Sequence, residues 1–197
     1  IMKKIKIMDK TILIYPGVYE PAEDSFILMD AAISMAHGNH LDLCCGTGII
    51  GLFTADRVDS IVSIDINPIA IKNTKENFKI NGLYNKLNAI VGDLFEPLRN
   101  IKFDLITINP PYLWNEEPRD LSWSGGIEGR EIIDRFIIKV GEFLKNNGRA
   151  LLIQSTHNDV NKTLNLINKM GLYGRILKEE RFMFEGIVLI EIKKEKD

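Results

Sequence analysis

Residues able to do chemistry gather at four points along the chain. One is Ile108-Asn109-Pro110-Pro111-Tyr112. It ends the run Phe103-Asp104-Leu105-Ile106-Thr107-Ile108, apolar and β-branched, which the pattern predicts to be a buried strand. The two prolines lock their own backbones and push the residues before them towards extended conformations, making a stiff turn. Such a turn leaves the Asn109 amide and nearby carbonyls unpaired by the sheet, at the strand end where open α/β sheets bind ligands. The Asn109 side-chain oxygen and the Pro110 carbonyl are two acceptors suited to a planar nitrogen bearing two N–H bonds, and Tyr112 offers that flat group an aromatic face. They would fix an amide or conjugated amino nitrogen and favour the charge it gains during attack, the problem posed by N-methylation. A proline-stiffened turn without chemistry is the plain alternative, because Pro-Pro pairs are common turn punctuation.

The other three points lie upstream. Leu41-Asp42-Leu43-Cys44-Cys45-Gly46-Thr47-Gly48-Ile49-Ile50-Gly51 runs from a strand through glycines into a helix, where backbone can approach a ligand closely. Its Gly46-to-Gly51 stretch satisfies the dinucleotide pattern G-x-G-x-x-G, and Asp65 ends the next strand, where an acid binds ribose hydroxyls. A nicotinamide enzyme is therefore one reading. S-adenosyl-L-methionine is favoured over it by three features. Asp42 can meet the ammonium of a methionine moiety, Asp93 after the third strand can take an adenine amino group with Leu94 covering the ring, and Asn-Pro-Pro-Tyr ends the fourth. A nicotinamide enzyme also lacks here any separate substrate domain and any Tyr-x-x-x-Lys pair. A non-catalytic nucleotide-binding module would leave Asn-Pro-Pro-Tyr without a purpose.

The elements that must position these residues follow from periodicity and breakers. Residues 11–15 read as a short strand closed by Pro16-Gly17, and Glu20 to Ser25 opens a helix with one apolar face. Strands are then predicted at about 40–45, 61–66, 87–91, 103–108, 148–154, 173–179 and 185–193, with helices at about 49–56, 68–81, 129–145 and 158–170. Asn67-Pro68 starts a helix well and Gly82 stops it. Alternating βα units imply an α/β fold with a doubly wound, mostly parallel seven-stranded sheet, into which the closing hairpin puts one antiparallel strand. One domain over 1–197 is expected, with 1–36 as an N-terminal strand and helix covering the cofactor site.

At 197 residues, 45% hydrophobic and 26% charged, the chain has the composition of a soluble globular domain. No apolar run approaches the ~18 residues of a membrane span, and the basic start lacks a signal-peptide core, so a cytoplasmic protein is expected. The adjacent Cys44 and Cys45 imply neither disulfides nor zinc, and the scattered His37, His40 and His157 lack ligand spacing and are expected at the surface. No metal is expected. A formal charge of −2 argues against a broad basic surface for duplex nucleic acid.

Taken together, Asp42…Gly46-x-Gly48, Asp65, Asp93 and Asn109-Pro110-Pro111-Tyr112 resemble the class I S-adenosylmethionine-dependent methyltransferases that act on amino nitrogens, with their Rossmann-like fold. Asn-Pro-Pro-Tyr occurs in adenine-N6 methyltransferases and in the HemK family, which methylates the glutamine of the Gly-Gly-Gln loop of peptide chain release factors. Val18-Tyr19-Glu20-Pro21-Ala22-Glu23-Asp24-Ser25-Phe26, and Trp123-Ser124-Gly125-Gly126 followed by Gly129-Arg130, resemble the archaeal and eukaryotic branch of HemK-type enzymes. The resemblance covers about residues 18–190 and implies that Ser25, Asp42, Cys44, Gly46, Gly48, Asp65, Asp93, Leu94 and Asn109 bind the cofactor, whose demethylated product is S-adenosyl-L-homocysteine. It implies that Asn109, Pro110, Pro111 and Tyr112 hold the glutamine amide, with Asn109, Pro110 and Tyr112 acting in catalysis. Where the family has its first loop glycine this chain has Cys44, so that position is expected to take a conformation open to any residue. The segment Leu113 to Arg130 is expected to act as a lid, with Trp123 packing on the substrate. Members of this branch work with a small zinc-binding activator that extends the sheet at the third strand, here Leu87 to Val91. An adenine in RNA or DNA is the alternative substrate.

Overall fold

The computed structural model describes residues 2–111, 129–183 and 186–195. Tyr112, Trp123-Ser124-Gly125-Gly126 and nearly all of the expected lid lie outside the described residues.

Two sheets form. The strands β1 (Lys3–Ile7) and β2 (Lys10–Ile14) make an antiparallel hairpin that turns through Met8 at φ 51. β1 was not expected, because its three lysines mask an alternation in which Ile5 and Ile7 are the less exposed residues. After α1 (Glu23–Met35) come β3 (Asn39–Leu43), α2 (Ile49–Thr54), β4 (Ser60–Asp65), α3 (Pro68–Ile80), β5 (Leu87–Val91) and β6 (Phe103–Ile108). Then follow α4 (Glu131–Phe143), β7 (Leu144–Ser155), α5 (Val160–Lys169), β8 (Tyr173–Arg181) and β9 (Gly186–Lys193). The main sheet has seven strands in the order β5-β4-β3-β6-β7-β9-β8, parallel except for β9, which runs against both neighbours. This is the doubly wound sheet with a closing antiparallel strand that the alternation predicts. β7 begins at Leu144 instead of near 148, so Asn146-Asn147-Gly148, which reads as a turn, is taken into the strand across an irregularity in its pairing with β6.

The sheet is buried on both faces, as parallel sheets require. Leu43, Ile106, Ile108 and Leu152 pack with Phe136, Ile137 and Val140 of α4 on one side. Leu105, Leu151 and Ile153 pack with Leu28 and Ala32 of α1 and Leu52 of α2 on the other.

The small hairpin joins this body through an asparagine ladder. Asn73, Asn77 and Asn81 recur every fourth residue along and just beyond α3, so they share one face. Their Oδ1 atoms accept from the backbone N–H groups of Tyr15 (2.8 Å), Leu13 (2.8 Å) and Thr11 (3.0 Å). Their Nδ2 atoms return bonds to Leu13 and Thr11 carbonyls, and Asn77 Nδ2 also reaches the Thr47 carbonyl of the glycine loop at 2.9 Å. A helix face thus does for β2 what a third strand would do.

Candidate active site

Four residues singled out from sequence stand on four neighbouring strands. Along the sheet the order is Asp93 just past β5, Asp65 ending β4, Asp42 in β3 and Asn109 just past β6. The carboxyl ends of the parallel strands therefore carry three acids and one amide on the same edge.

The glycine loop is held from two sides. Asp65 takes the Gly46 N–H on Oδ2 and the Asn67 N–H on Oδ1, both at 2.9 Å. Burial raises the Asp65 pKa, and these two bonds oppose the rise. Gly46 itself lies at φ 54 with nothing within 4 Å of the place a Cβ would take, so open space adjoins its backbone. Gly48 lies at φ 75, where a Cβ would meet Thr74 at 2.6 Å, and only glycine fits. Cys44 sits at φ 53, not in the any-residue conformation expected for it, so a cysteine here bears a strain that a glycine would avoid. Burial, with Asp65 and Asp42 nearby, pushes the thiols of Cys44 and Cys45 up, and neither is poised as a nucleophile.

Asp42 works from beneath the loop. It is 1% exposed and accepts from the Thr107 hydroxyl at 2.8 Å and from the Gly51 N–H at 3.3 Å. Behind it His40, fully buried, bridges the hydroxyls of Thr107 and Thr54 at 2.8 Å each. The expectation that His40 lies at the surface is thus wrong. Burial drives both groups towards neutrality, lifting Asp42 to about 7 and lowering His40 to about 3.

Asp93 is paired with Arg135 of α4 at 2.7 Å, and Leu94 follows it, buried, at φ 46. Ser25 is also buried. Its hydroxyl lies 3.4 Å from the Ala22 N–H and 3.2 Å from Asp24, at the start of α1.

Asn109 has the arrangement most telling for chemistry. Its Nδ2 donates to Asp24 Oδ2 at 3.0 Å, so the side chain is tied to the first turn of α1, 85 residues away in sequence. Its Oδ1 is buried without a hydrogen-bond partner. Among the described residues the other such atoms are the Ser63 hydroxyl and the Nε atoms of Arg130 and Arg149. Asn109 Oδ1 is alone among them in being purely an acceptor. Pro110 is buried beside it, and Pro111 is half-buried.

The methyltransferase small domain family model matches residues 16–184. The chain belongs to that family. This methyltransferase is 35% identical over 184 residues to a protein of Methanocaldococcus jannaschii named for protein N5-glutamine methylation, covering 90% of this chain and 92% of that protein. It is 30% identical over 177 residues to the Homo sapiens methyltransferase HEMK2, covering 81% and 82% respectively. Among solved structures it is similar to the E. cuniculi Mtq2–Trm112 complex described as responsible for methylation of the eRF1 translation termination factor. That match has 28% identity and a TM-score of 0.73 over 91% of this chain and 100% of that one. A 16S rRNA N2 G1207 methyltransferase of T. thermophilus shares the fold at 18% identity and a TM-score of 0.76, over 98% of this chain and 50% of that one.

Three residues of this candidate site escape a reading by motif. Asp24 reads as a helix-opening acid, favoured there by the helix dipole, and only the fold shows that it meets Asn109. Arg135 lies on the outward part of an amphipathic helix with nothing local to mark it. Thr107 is one β-branched residue in a strand of them. Arg130, part of the family-like Gly129-Arg130 pair, is a structural anchor. The residue is 3% exposed, and its guanidinium donates to the carbonyls of Asn158 and Asp159, the Thr163 hydroxyl and Asp134.

Proposed function

We propose that this methyltransferase uses S-adenosyl-L-methionine to methylate N5 of the glutamine side-chain amide in the Gly-Gly-Gln loop of a peptide chain release factor. The buried, unpartnered Asn109 Oδ1 carries this reading. A buried acceptor left unmade costs on the order of 1–3 kcal/mol, and an incoming N–H donor at a strand end built for ligands would recover it. An amide nitrogen delocalises its lone pair and attacks poorly. Acceptance of its hydrogens by Asn109 Oδ1 and the Pro110 carbonyl orients the nitrogen and favours the positive charge that grows on it. No residue is assigned as general base, because attack acidifies the nitrogen and its proton leaves to water or a carbonyl.

The cofactor supplies a methyl group on a positively charged sulfur. Acceptors predominate where it would sit: Asp65 for ribose hydroxyls, Asp93 for the adenine amino group with Leu94 against the ring, and Asp42 supporting the loop. Cys44, Gly46 and Gly48 provide the backbone, and Ser25 approaches from α1. A pyrophosphate is a poor match. The Gly46 and Gly51 N–H groups that would bind it are already taken by Asp65 and Asp42. Pro111 and Tyr112 would complete the substrate pocket.

The names of the M. jannaschii relative and of the Mtq2–Trm112 structure support the same substrate class, and the latter supports a partner. The partner we propose is a small zinc-binding activator. β5 ends the sheet, with Val91 52% exposed, and its outer backbone groups would template another strand. Tritiated S-adenosylmethionine offered with the release factor, its Gly-Gly-Gln→Gly-Gly-Ala variant, and bulk tRNA, rRNA and DNA in parallel tests the assignment. Label in the release factor alone, lost in the variant, is the expected outcome. Label in RNA or DNA would instead favour adenine, whose amino group offers the same two hydrogens.

A further inference from the structure

The Asn109 amide has two nearly isosteric orientations, related by a half-turn that exchanges an acceptor oxygen for a donor NH2. Only one presents the oxygen to a substrate. The choice between them lies with the group behind Asn109, and that group is Asp24. Asp24 is 3% exposed and is gripped by α1 and the segment before it. The Ser25 N–H donates to Oδ1 at 2.6 Å, the Ser25 hydroxyl lies 3.2 Å from the same oxygen, and the Tyr19 hydroxyl reaches both oxygens at 3.1 Å. A carboxyl so surrounded by donors serves as an acceptor and cannot turn to become anything else. A reversed Asn109 would set oxygen against oxygen and aim its NH2 into the site.

We infer that Asp24 is the positioning residue that makes Asn109 an obligate acceptor, and thereby selects a substrate bearing N–H hydrogens over its carboxylate counterpart, glutamine over glutamate. The second half rests on the proposed substrate. A glutamate side chain would bring no hydrogen to Asn109 Oδ1 and would place its charge in line with that of Asp24. Sites built to hydrogen-bond an N–H reject analogues lacking it far more strongly than apolar pockets reject a missing methylene. The N-terminal helix is on this view part of the reacting site.

Asp24→Asn keeps the shape and the acceptor for the Ser25 N–H but offers Asn109 a donor, so both orientations become populated. Its kcat should fall by at least about 10-fold, with S-adenosylhomocysteine affinity by calorimetry within about 3-fold of wild type. A Gly-Gly-Glu peptide should compete with Gly-Gly-Gln at least about 100-fold less well in the wild type and gain ground in the variant. The double variant Asp24→Asn/Asn109→Asp restores a donor behind and an acceptor in front, and should regain about 10-fold over Asn109→Asp alone. A merely structural Asp24 would give no such rescue. Nuclear magnetic resonance reads the arrangement without turnover: the Asn109 Nδ2 protons should shift downfield in the wild type and lose that shift in Asp24→Asn. Wild-type kcat in Asp24→Asn, or a double variant no better than Asn109→Asp, overturns the inference and leaves the proposed substrate standing. A wild type that ignores the glutamine peptide sinks the substrate instead, and the Nδ2 signals then decide the role of Asp24 by themselves.

Discussion

Two acid-centred clusters sit side by side at the carboxyl ends of β3 and β6, and they differ in one atom. In the Asp42 cluster, Thr54, His40, Thr107, Asp42 and the Gly51 N–H form a continuous chain in which no buried side-chain atom lacks a partner. In the Asp24 cluster, Tyr19, Ser25 and Asn109 converge on a carboxyl in the same manner, yet Asn109 Oδ1 is left over. A closed chain holds a loop in place with none of its buried side-chain atoms left over. A chain open at one acceptor holds itself in place and can still bind something. The difference separates scaffold from chemistry better than burial does, since Asp42 and Asp24 are both almost wholly enclosed.

Changes to either cluster should break it in different ways. Asn109→Ala removes the open atom, so turnover should drop by about 100-fold or more, while calorimetry with S-adenosylhomocysteine changes little. Turnover close to wild type would erase the distinction. Thr107→Val removes the hydroxyl linking His40 to Asp42 at nearly constant shape. It should cost on the order of 1–3 kcal/mol of stability by urea unfolding, with activity per folded molecule within about 3-fold of wild type.

A finer test uses pH. The folded pKa of Asp42, about 7, lies above its ordinary 3.8, so the native state holds a proton that the unfolded chain has lost. Stability from this group therefore falls as pH rises between those values. His40 at about 3 lies below its ordinary 6.5, so the native state lacks a proton the unfolded chain carries. Stability from His40 therefore rises with pH from about 3 to about 6.5. From about pH 4 to 6.5 the two slopes oppose each other, each at most about 1.4 kcal/mol per pH unit. Asp42→Asn should leave the His40 slope uncovered, so its stability climbs with pH more steeply than that of wild type. Parallel curves would show that Asp42 is charged throughout.

The smallest effect on the chain itself is expected at β5, where backbone groups stand open at the edge of the sheet. Single prolines at Asn88, Ala89 and Ile90 should alternate in effect. Where the lost N–H faces outward, stability should hold within about 0.5 kcal/mol while co-purification of the activator is lost. Where it faces β4, the fold itself should suffer. An activator that binds all three variants equally docks elsewhere.

Most of the architecture was legible because its signals are local. Asn67 caps α3 through the Ile69 N–H at 2.9 Å, Pro68 starts the helix, and Gly82 at φ 72 ends the turn after it. The line of Asp93, Asp65, Asp42 and Asn109 follows from strand ends alone. What escaped depends on tertiary contact. His40 carries nothing in its neighbours to say that two threonines from other elements will enclose it. Asp24 looks like an ordinary helix-opening acid until β6 arrives beside it. Cys44 was expected to avoid the left-handed region, but the tight passage from β3 into the loop imposes φ 53 on whatever residue stands there.

The asparagine ladder acts as a vernier. Four residues of α-helix advance about 6.0 Å, whereas two residues of strand advance about 6.8 Å. With Asn77 and Leu13 in line, the outer rungs are out of step by about 0.8 Å, and each further rung would add as much. Sliding β2 by one repeat would carry Thr11 or Tyr15 past the end of the three asparagines. The middle rung also grips the Thr47 carbonyl, and the chain leaving β2 leads through Tyr15 and Tyr19 to Asp24. A ruler of three asparagines on a helix thus fixes the register of the strand from which the chain runs on to the carboxyl behind Asn109.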